Sequence, residues 1–402
     1  MSTAAASLRS NIGGLRRLLP NWAWGLIFIG LALAYPFILE AMMSAPDDLL
    51  DASIQTLAYI IMALGLNIVV GFAGLLDLGY VAFYAIGAFV IGWLGSQQFA
   101  DVAGGKGIHI LTPSQSAFGS DIPGIHINFF VVLLIAAAFT AIWGAILGAP
   151  TLRLRGDYLA IVTLAFGEIV PRVFENATSG IFGIGSTDFS NGRQGITPID
   201  KINFPWTDER FGYPLELKPV YYVGLAMLLF VIFFNRRLRD SRLGRAWIAV
   251  REDEIAAASM GVPLVRTKLL AYAVGAAFGG ISGAFIGSFY NTVNADQFEF
   301  SFSIFILSMI ILGGLGSIWG TVLGALLLSF INTYLIPDVF NTWPSKVGLE
   351  FDLTQLSFGI FGFLLVIMMV LRPQGLLPER RRKLELVEGV GTGEDQMYEV
   401  RG

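Results

Sequence analysis

The sequence predicts an all-α, polytopic membrane protein with about ten transmembrane helices and both termini in the cytoplasm. Three observations predict it. Of 402 residues, 55% are hydrophobic and 14% are charged, whereas a soluble domain carries about 25% charged residues. The apolar residues fall in runs close to the roughly 20 residues that a helix needs to cross a bilayer. Arg and Lys gather in alternate connections, as expected of cytoplasmic segments under the positive-inside rule.

Ten apolar runs are placed as spans: 22–39, 52–70, 79–95, 129–149, 157–175, 219–235, 268–290, 301–316, 317–335 and 353–371. The third begins in a glycine-rich stretch. The eighth and ninth meet at Gly313-Gly314-Leu315-Gly316-Ser317, which reads as a tight turn or as a broken helix. Nine or eleven spans are the alternative count. Arg9, Arg16 and Arg17 put the N-terminal arm, 1–21, inside. Ten spans then also place inside Arg153 and Arg155, the basic connection 237–268, and Arg372 with Arg380, Arg381, Arg382 and Lys383. The first span follows a positive segment, as a signal peptide does. Its apolar run is long for that role, and no small-x-small site precedes Pro46-Asp47-Asp48, so it is read as retained. The permease domain is thus 22–375, with outer loops 96–128 and 176–218 and a polar cytoplasmic tail, 376–402. The outer loops, rich in Gly, Pro, Asp and Ser, are expected to fold as caps or to lie on a partner.

Composition removes several chemistries. No cysteine is present, which excludes disulfides, thiolate metal sites and a cysteine nucleophile. The two histidines, His109 and His126, share one polar connection, so no paired-histidine metal motif exists. No catalytic or metal-ligating set is predicted. Gly104-Gly105-Lys106-Gly107 lacks the upstream glycine and the Ser/Thr of a phosphate-cradling loop. If ATP drives this chain, another subunit binds it. No basic patch with interleaved aromatics points to nucleic acid.

Four stretches carry more information. In the first, Gly71, Gly74 and Gly79 with Asp77 lie between two apolar runs, preceded by Asn67. Glycine permits non-helical backbone and close contact, and irregular backbone at membrane depth survives only where protein buries it or it lines a cavity. An acid at bilayer depth costs about 2.5–3.5 kcal/mol on the insertion scale. The stretch is either a broken helix beside a transport path or a cytoplasmic turn in which Asp77 caps a helix at the interface. In the second, Glu168 and Arg172 are four apart and share a helix face, so they can pair. Ionisable groups inside a span are functional candidates; the alternative is a structural ion pair near the outer end.

The third stretch is the connection from Arg237 to Lys268. Ala246 to Met260 has high helix propensity. Ala246, Ala249, Val250, Ala256, Ala257 and Met260 form an apolar side, and Arg251 with Glu252, Asp253 and Glu254 a polar one. A short amphipathic helix ended by Gly261 must bury its apolar side on something. The acidic run disfavours an anionic lipid surface, so a protein groove is the expected partner. The fourth is glycine at every fourth position: Gly275, Gly279, Gly283 and Gly287, then Gly316, Gly320 and Gly324. Small residues at that spacing let helices approach closely, a structural role.

At Gly71–Gly79, Leu152–Glu168, Gly244–Gly261 and Ile311–Gly320 the chain resembles the permeases of ABC importers, specifically the larger permease subunit of high-affinity branched-chain amino-acid uptake systems. The resemblance covers roughly residues 50–375. The connection with Arg245, Arg251-Glu252-Asp253-Glu254 and Gly261 is its most specific part. It also resembles the importer EAA loop, whose short helix docks into the ATPase, although Glu254 stands one place further from Gly261 than the usual spacing. The resemblance implies a five-part assembly: this chain, a second homologous permease, two ATP-binding subunits and a periplasmic amino-acid-binding protein, held in the lipid of a bacterial inner membrane. It implies that ATP and Mg sit on the partners and that this chain binds no cofactor. It implies ATPase-coupling roles for Arg245, Arg251, Glu252, Asp253, Glu254 and Gly261. Asn67, Gly71, Gly74, Asp77, Gly79 and Glu168 are the candidates for the substrate path or its gating. The expected activity is import of leucine, isoleucine and valine. Permeases for urea and short-chain amides look alike and are the alternative. A stand-alone secondary transporter or channel would need a relay of intramembrane charges, and few are present. A membrane-embedded enzyme would need a cluster of His, Asp or Cys at one depth, and none appears in the sequence.

Overall fold

The computed structural model describes residues 21–42, 47–112, 122–151, 157–178, 188–204, 210–211, 216–340, 357–372 and 374–377. The N-terminal arm with Arg9, Arg16 and Arg17, the pair Arg153 and Arg155, and the tail with Arg380–Lys383 lie outside them. The chain divides into two units, Met1–Leu50 and Asp51–Gly402. In the first, α1 (Asn21–Met42) turns apolar side chains such as Leu31 and Phe37 outward and carries Pro36 within it.

The second unit holds the rest. It consists of α2 (Asp47–Leu66, beginning in the first unit) continued by a π-helix (Asn67–Phe72), α3 (Val81–Leu94), α4 (Phe129–Thr151), α5 (Asp157–Glu175), α6 (Leu217–Asp240), α7 (Arg242–Glu252), α8 (Glu254–Ser259), α9 (Leu264–Tyr290), α10 (Phe300–Gly313), α11 (Ile318–Phe330), a second π-helix (Ile331–Phe340) and α12 (Ser357–Leu371). Among the described residues, six helices are long and apolar enough to cross a membrane: Asp47–Phe72, Phe129–Thr151, Leu217–Asp240, Leu264–Tyr290, Ala295–Gly313 and Ile318–Pro337. Ile29–Met42, Val81–Leu94 and Gly359–Leu371 are shorter apolar helices. α5 carries Glu168, Arg172 and Glu175.

α9 is the centre of the bundle. Its glycine stripe faces α2 and α3. A Cβ on Gly275 would meet Val69, one on Gly283 would stand 2.1 Å from the Tyr84 carbonyl oxygen, and one on Gly287 would meet Ile91. On the other side Ala276 and Tyr272 pack into the gaps left by Gly144 and Gly148 of α4. Backbone-to-backbone approach of this kind replaces the hydrophobic drive that lipid cannot supply. The stripe is therefore structural, as its spacing indicates.

The junction of the eighth and ninth runs is a tight turn, not a broken span. Gly314 (φ +118°) and Gly316 (φ +82°) reverse the chain in the left-handed region. Ser317 Oγ then accepts from Gly320 N at 3.1 Å to start α11. α10 and α11 lie back to back, and Leu376 N and Leu377 N donate to the carbonyls of Leu312 and Gly313, closing the C-terminal end of α10.

Short strands, which the all-α expectation lacks, occur in both outer loops. β1 (Gly95–Ser96), β2 (Ile108–Ile110) and β3 (Ile125–Ile127) form one sheet in the order β1-β3-β2, antiparallel then parallel, with Ile108 opposite Ile125. β4 (Ile202–Asn203) and β5 (Arg210–Phe211) form a second. His126 Nδ1 lies 2.7 Å from Asp200 Oδ2, and its ring stacks on His109. Bridges Ser96–Ile199 and Ile196–Val293 tie the loops to each other and to the turn after α9. The described parts of the two loops lie together at one end of the bundle.

Candidate functional site

The glycine-rich break is built from the end of α2. At Asn67 the helix widens to a π-helix, a local distortion that often marks functional sites. Asn67 is buried, and its Oδ1 accepts from Gly316 N at 3.0 Å, linking the break to the α10–α11 turn. Gly71 lies against that side chain: a Cβ there would sit 2.0 Å from Asn67 Oδ1. Residues 73–80 then run non-helical to α3. Gly74 adopts φ +70°. Asp77 Oδ1 accepts from Gly79 N at 2.9 Å, while Oδ2 is buried with no hydrogen-bond partner among the described residues. Leu78 N donates to Thr163 Oγ1 at 3.1 Å, and Gly79 crosses α5 so closely that a Cβ would overlap the Thr163 carbonyl. Tyr80 closes the segment by donating to the Gly275 carbonyl at 2.5 Å.

The stretch is a non-helical connection between the π-helix and α3. Asp77 caps its own turn from a buried position (2% exposed) rather than a helix at a solvated interface. It lies in the connection between two helices, outside both. Burial pushes its carboxyl up to about 7, against the hydrogen bond from Gly79.

The connection 237–268 reaches this break. Ser241 caps α7 by accepting from Gly244 N at 3.2 Å. Trp247 is fully buried and donates through Nε1 to the Thr267 carbonyl at 2.8 Å, pinning α7 to the base of α9. Arg251 turns inward: its guanidinium donates to the Gly71 carbonyl, and its stem lies on Gly74, where a Cβ would stand 2.7 Å from Arg251 Cγ. Glu254 pairs with Lys268 Nζ at 2.5 Å. Arg245 is exposed, and its side chain donates to the Asp240 carbonyl at 2.8 Å. Glu252, Asp253 and Gly261 are exposed, beside Ile255 (78% exposed) and Met260 (86%).

Two expectations need correction. The single helix over Ala246–Met260 is two helices, broken at Asp253. That residue is extended (φ −155°), and its carboxylate accepts from Ile255 N and Ala256 N at 2.8 and 3.0 Å. A short acidic side chain competes with the helical backbone and starts a new helix instead. The apolar side also differs. Trp247, Val250 and Ala257 are buried, whereas Ala256 and Met260 face outward. The second correction concerns Glu168. Arg172 pairs with Glu175 at 2.6 Å, and Glu175 also accepts from Arg193 at 2.5 Å. Glu168 is exposed and acts on Arg172 only through space.

The structure thus brings together Asn67, Gly71, Gly74, Asp77, Gly79 and Arg251. Glu168 follows Gly167, which packs on Gly79, but lines a cavity that none of these residues lines, and Arg245, Glu252, Asp253 and Gly261 are exposed. The sequence reading passes over Thr163, Trp247, Glu175 and Arg193. Only Trp247 carried a signal, as a lone tryptophan inside a charged connection.

The sequence has relatives. Residues 49–370 match the family described as branched-chain amino acid transport system / permease component. The high-affinity branched-chain amino acid permease protein LivM of Escherichia coli is 36% identical over 382 residues, covering 90% of this chain and 76% of that protein. A probable LivM of Methanocaldococcus jannaschii is 27% identical over 80% of this chain and 91% of its own length. The second permease type, LivH of Salmonella typhimurium, is 25% identical over 67% of this chain and 79% of its own. No solved structure matches. The chain therefore belongs to the permease components of branched-chain amino acid transport systems.

Proposed function

We propose that this chain carries leucine, isoleucine and valine across the inner membrane of a bacterial cell as the larger permease of an ATP-driven importer. It pairs with a second, LivH-like permease. It crosses the bilayer ten times, with α1, α3 and α5 among the spans and both termini inside. Two ATP-binding subunits, which hold ATP and Mg, dock on the exposed face of Glu252, Asp253, Ile255 and Met260. A periplasmic amino-acid-binding protein delivers substrate to the capped outer end.

One observation carries the coupling: Arg251 joins the connection to the break at Gly71 and Gly74. Motion of α7 and α8 pulls on the end of the π-helix and on the non-helical segment that follows it. Asn67 passes the displacement to the α10–α11 turn, and Gly79 passes it to α5. A membrane path then alternates its opening as ATP shifts the population of two states. Labelled leucine uptake, measured in cells with and without this chain and with no parallel leucine importer, tests the function. Uptake that disappears on deletion and is suppressed by valine but not urea is the expected result. Uptake unchanged by deletion refutes the reading.

A further inference from the structure

The turn before α10 and the last turns of α5 border an open cavity of about 340 Å³ at the capped end of the bundle. Glu168, Arg172 and Glu175 line it from α5, and Asp296, Glu299, Phe300 and Ser301 from the α10 side. It is at the small end of ligand pockets, about 300–1,000 Å³, a size suited to a free amino acid rather than to a chain of residues or sugars.

Its walls carry both signs of charge. Glu168, Asp296 and Glu299 are all exposed to it. Arg172 has one donor engaged with Glu175 and a side chain 65% exposed, so other donors of its fork are turned to solvent. The 14-residue α10 also opens here. Glu299, at its N-cap position, makes no side-chain cap and instead accepts from Ser301 Oγ at 3.2 Å. The first turn thus adds its partial positive charge to that of Arg172. Burial of Phe298 behind the turn and the face of Phe300 supply an apolar wall.

Charges on a helix placed within a bilayer face water or a ligand, not lipid. Glu168 is exposed in mid-helix between the exposed Ile161 and Ile169. A structural pair would have joined Glu168 to Arg172. The arginine instead pairs with Glu175 and leaves the acid turned into the cavity.

We propose that this cavity receives the zwitterionic head of the amino acid as it leaves the binding protein. Glu168 and Glu299, with Asp296, take the α-ammonium. Arg172 takes the α-carboxylate with the open end of α10. The assignment rests on the branched-chain reading and deepens it: a neutral amide would have no use for opposed charges, whereas every amino acid presents both.

The test uses the whole importer in cells that have no other leucine uptake. Glu168→Gln and Glu299→Gln keep shape and remove charge, and each is expected to lower leucine uptake at least tenfold at an unchanged amount of protein in the membrane. Asp101→Asn, in the outer loop away from the cavity, serves as control and is expected to match wild type. Because the chain has no cysteine, Ser301→Cys gives a second measurement that does not depend on activity. It should react from outside with a membrane-impermeant thiol reagent, and several-fold faster with a cationic than with an anionic one. Wild-type uptake of leucine with both glutamine variants at full rate, or a Ser301→Cys thiol inaccessible from outside, overturns the cavity assignment alone. Absence of leucine uptake by the wild type overturns the branched-chain reading itself.

Discussion

Replacing Arg251 by alanine tests the transmission route. The substitution removes the guanidinium bond to the Gly71 carbonyl and the stem that lies on Gly74. A hydrogen bond from a charged donor contributes about 1.5–3 kcal/mol. The guanidinium is only part-buried, which places its worth at the lower end. About 1.4 kcal/mol corresponds to tenfold. If that energy links the motion of α7 to the break, its loss should lower leucine uptake about tenfold while ATP hydrolysis continues. The assay is uptake and phosphate release measured together on the importer in proteoliposomes. Arg245→Ala is the comparison, because the Arg245 side chain reaches the Asp240 carbonyl at the end of α6 and not the break. Arg251→Ala with a wild-type ratio of leucine moved to ATP hydrolysed would refute the route. Parallel loss of both activities would show that Arg251 holds the fold rather than the coupling.

Three further outcomes follow from the packing and the charge. Gly283→Ala places a methyl 2.1 Å from the Tyr84 carbonyl oxygen, and overpacking of this kind costs about 1–3 kcal/mol; a lower melting temperature in detergent is expected. Asp253→Ala removes the cap of α8, worth about 1 kcal/mol; faster amide exchange over Ile255–Ser259 is expected, with no change in α7. Burial pushes the Asp77 carboxyl up to about 7 in the folded chain, above its ordinary value. The folded state therefore holds the proton more tightly, and stability falls as pH rises from the ordinary carboxylate range through about 7. Asp77→Asn removes that dependence, so between pH 5 and pH 8 the variant should lose less stability than wild type, measured by thermal unfolding.

Much of the architecture was legible because lipid imposes a length. Each of the ten runs contains a helix among its described residues, and six of these helices are long and apolar enough to cross a membrane, since apolar stretches of that length can satisfy their backbone in hydrocarbon only as helices. The glycine stripe of α9 was legible for a similar reason: four-residue spacing has one geometric meaning. The break at Gly71–Gly79 was visible as a departure from helix. Its link to Arg251 was not, because nothing in the sequence joins positions 180 apart. Two local signals were missed. Ile-His-Ile occurs twice, at 108–110 and 125–127, with the alternation of a half-buried strand. Asp253 follows a helix and precedes alanines, a start signal inside an apparently continuous helix. The Arg172–Glu175 pair was missed because a spacing of four made Glu168 an equally good partner; Arg193, brought in by the outer loop, decides between them.

The most direct test of the account is whether the exposed face of α8 meets an ATP-binding subunit. A cysteine at Ile255, in a chain that has none of its own, should cross-link to that subunit in membrane vesicles, and ATP should change the yield. No cross-link from Ile255→Cys in an importer that still transports leucine would contradict it.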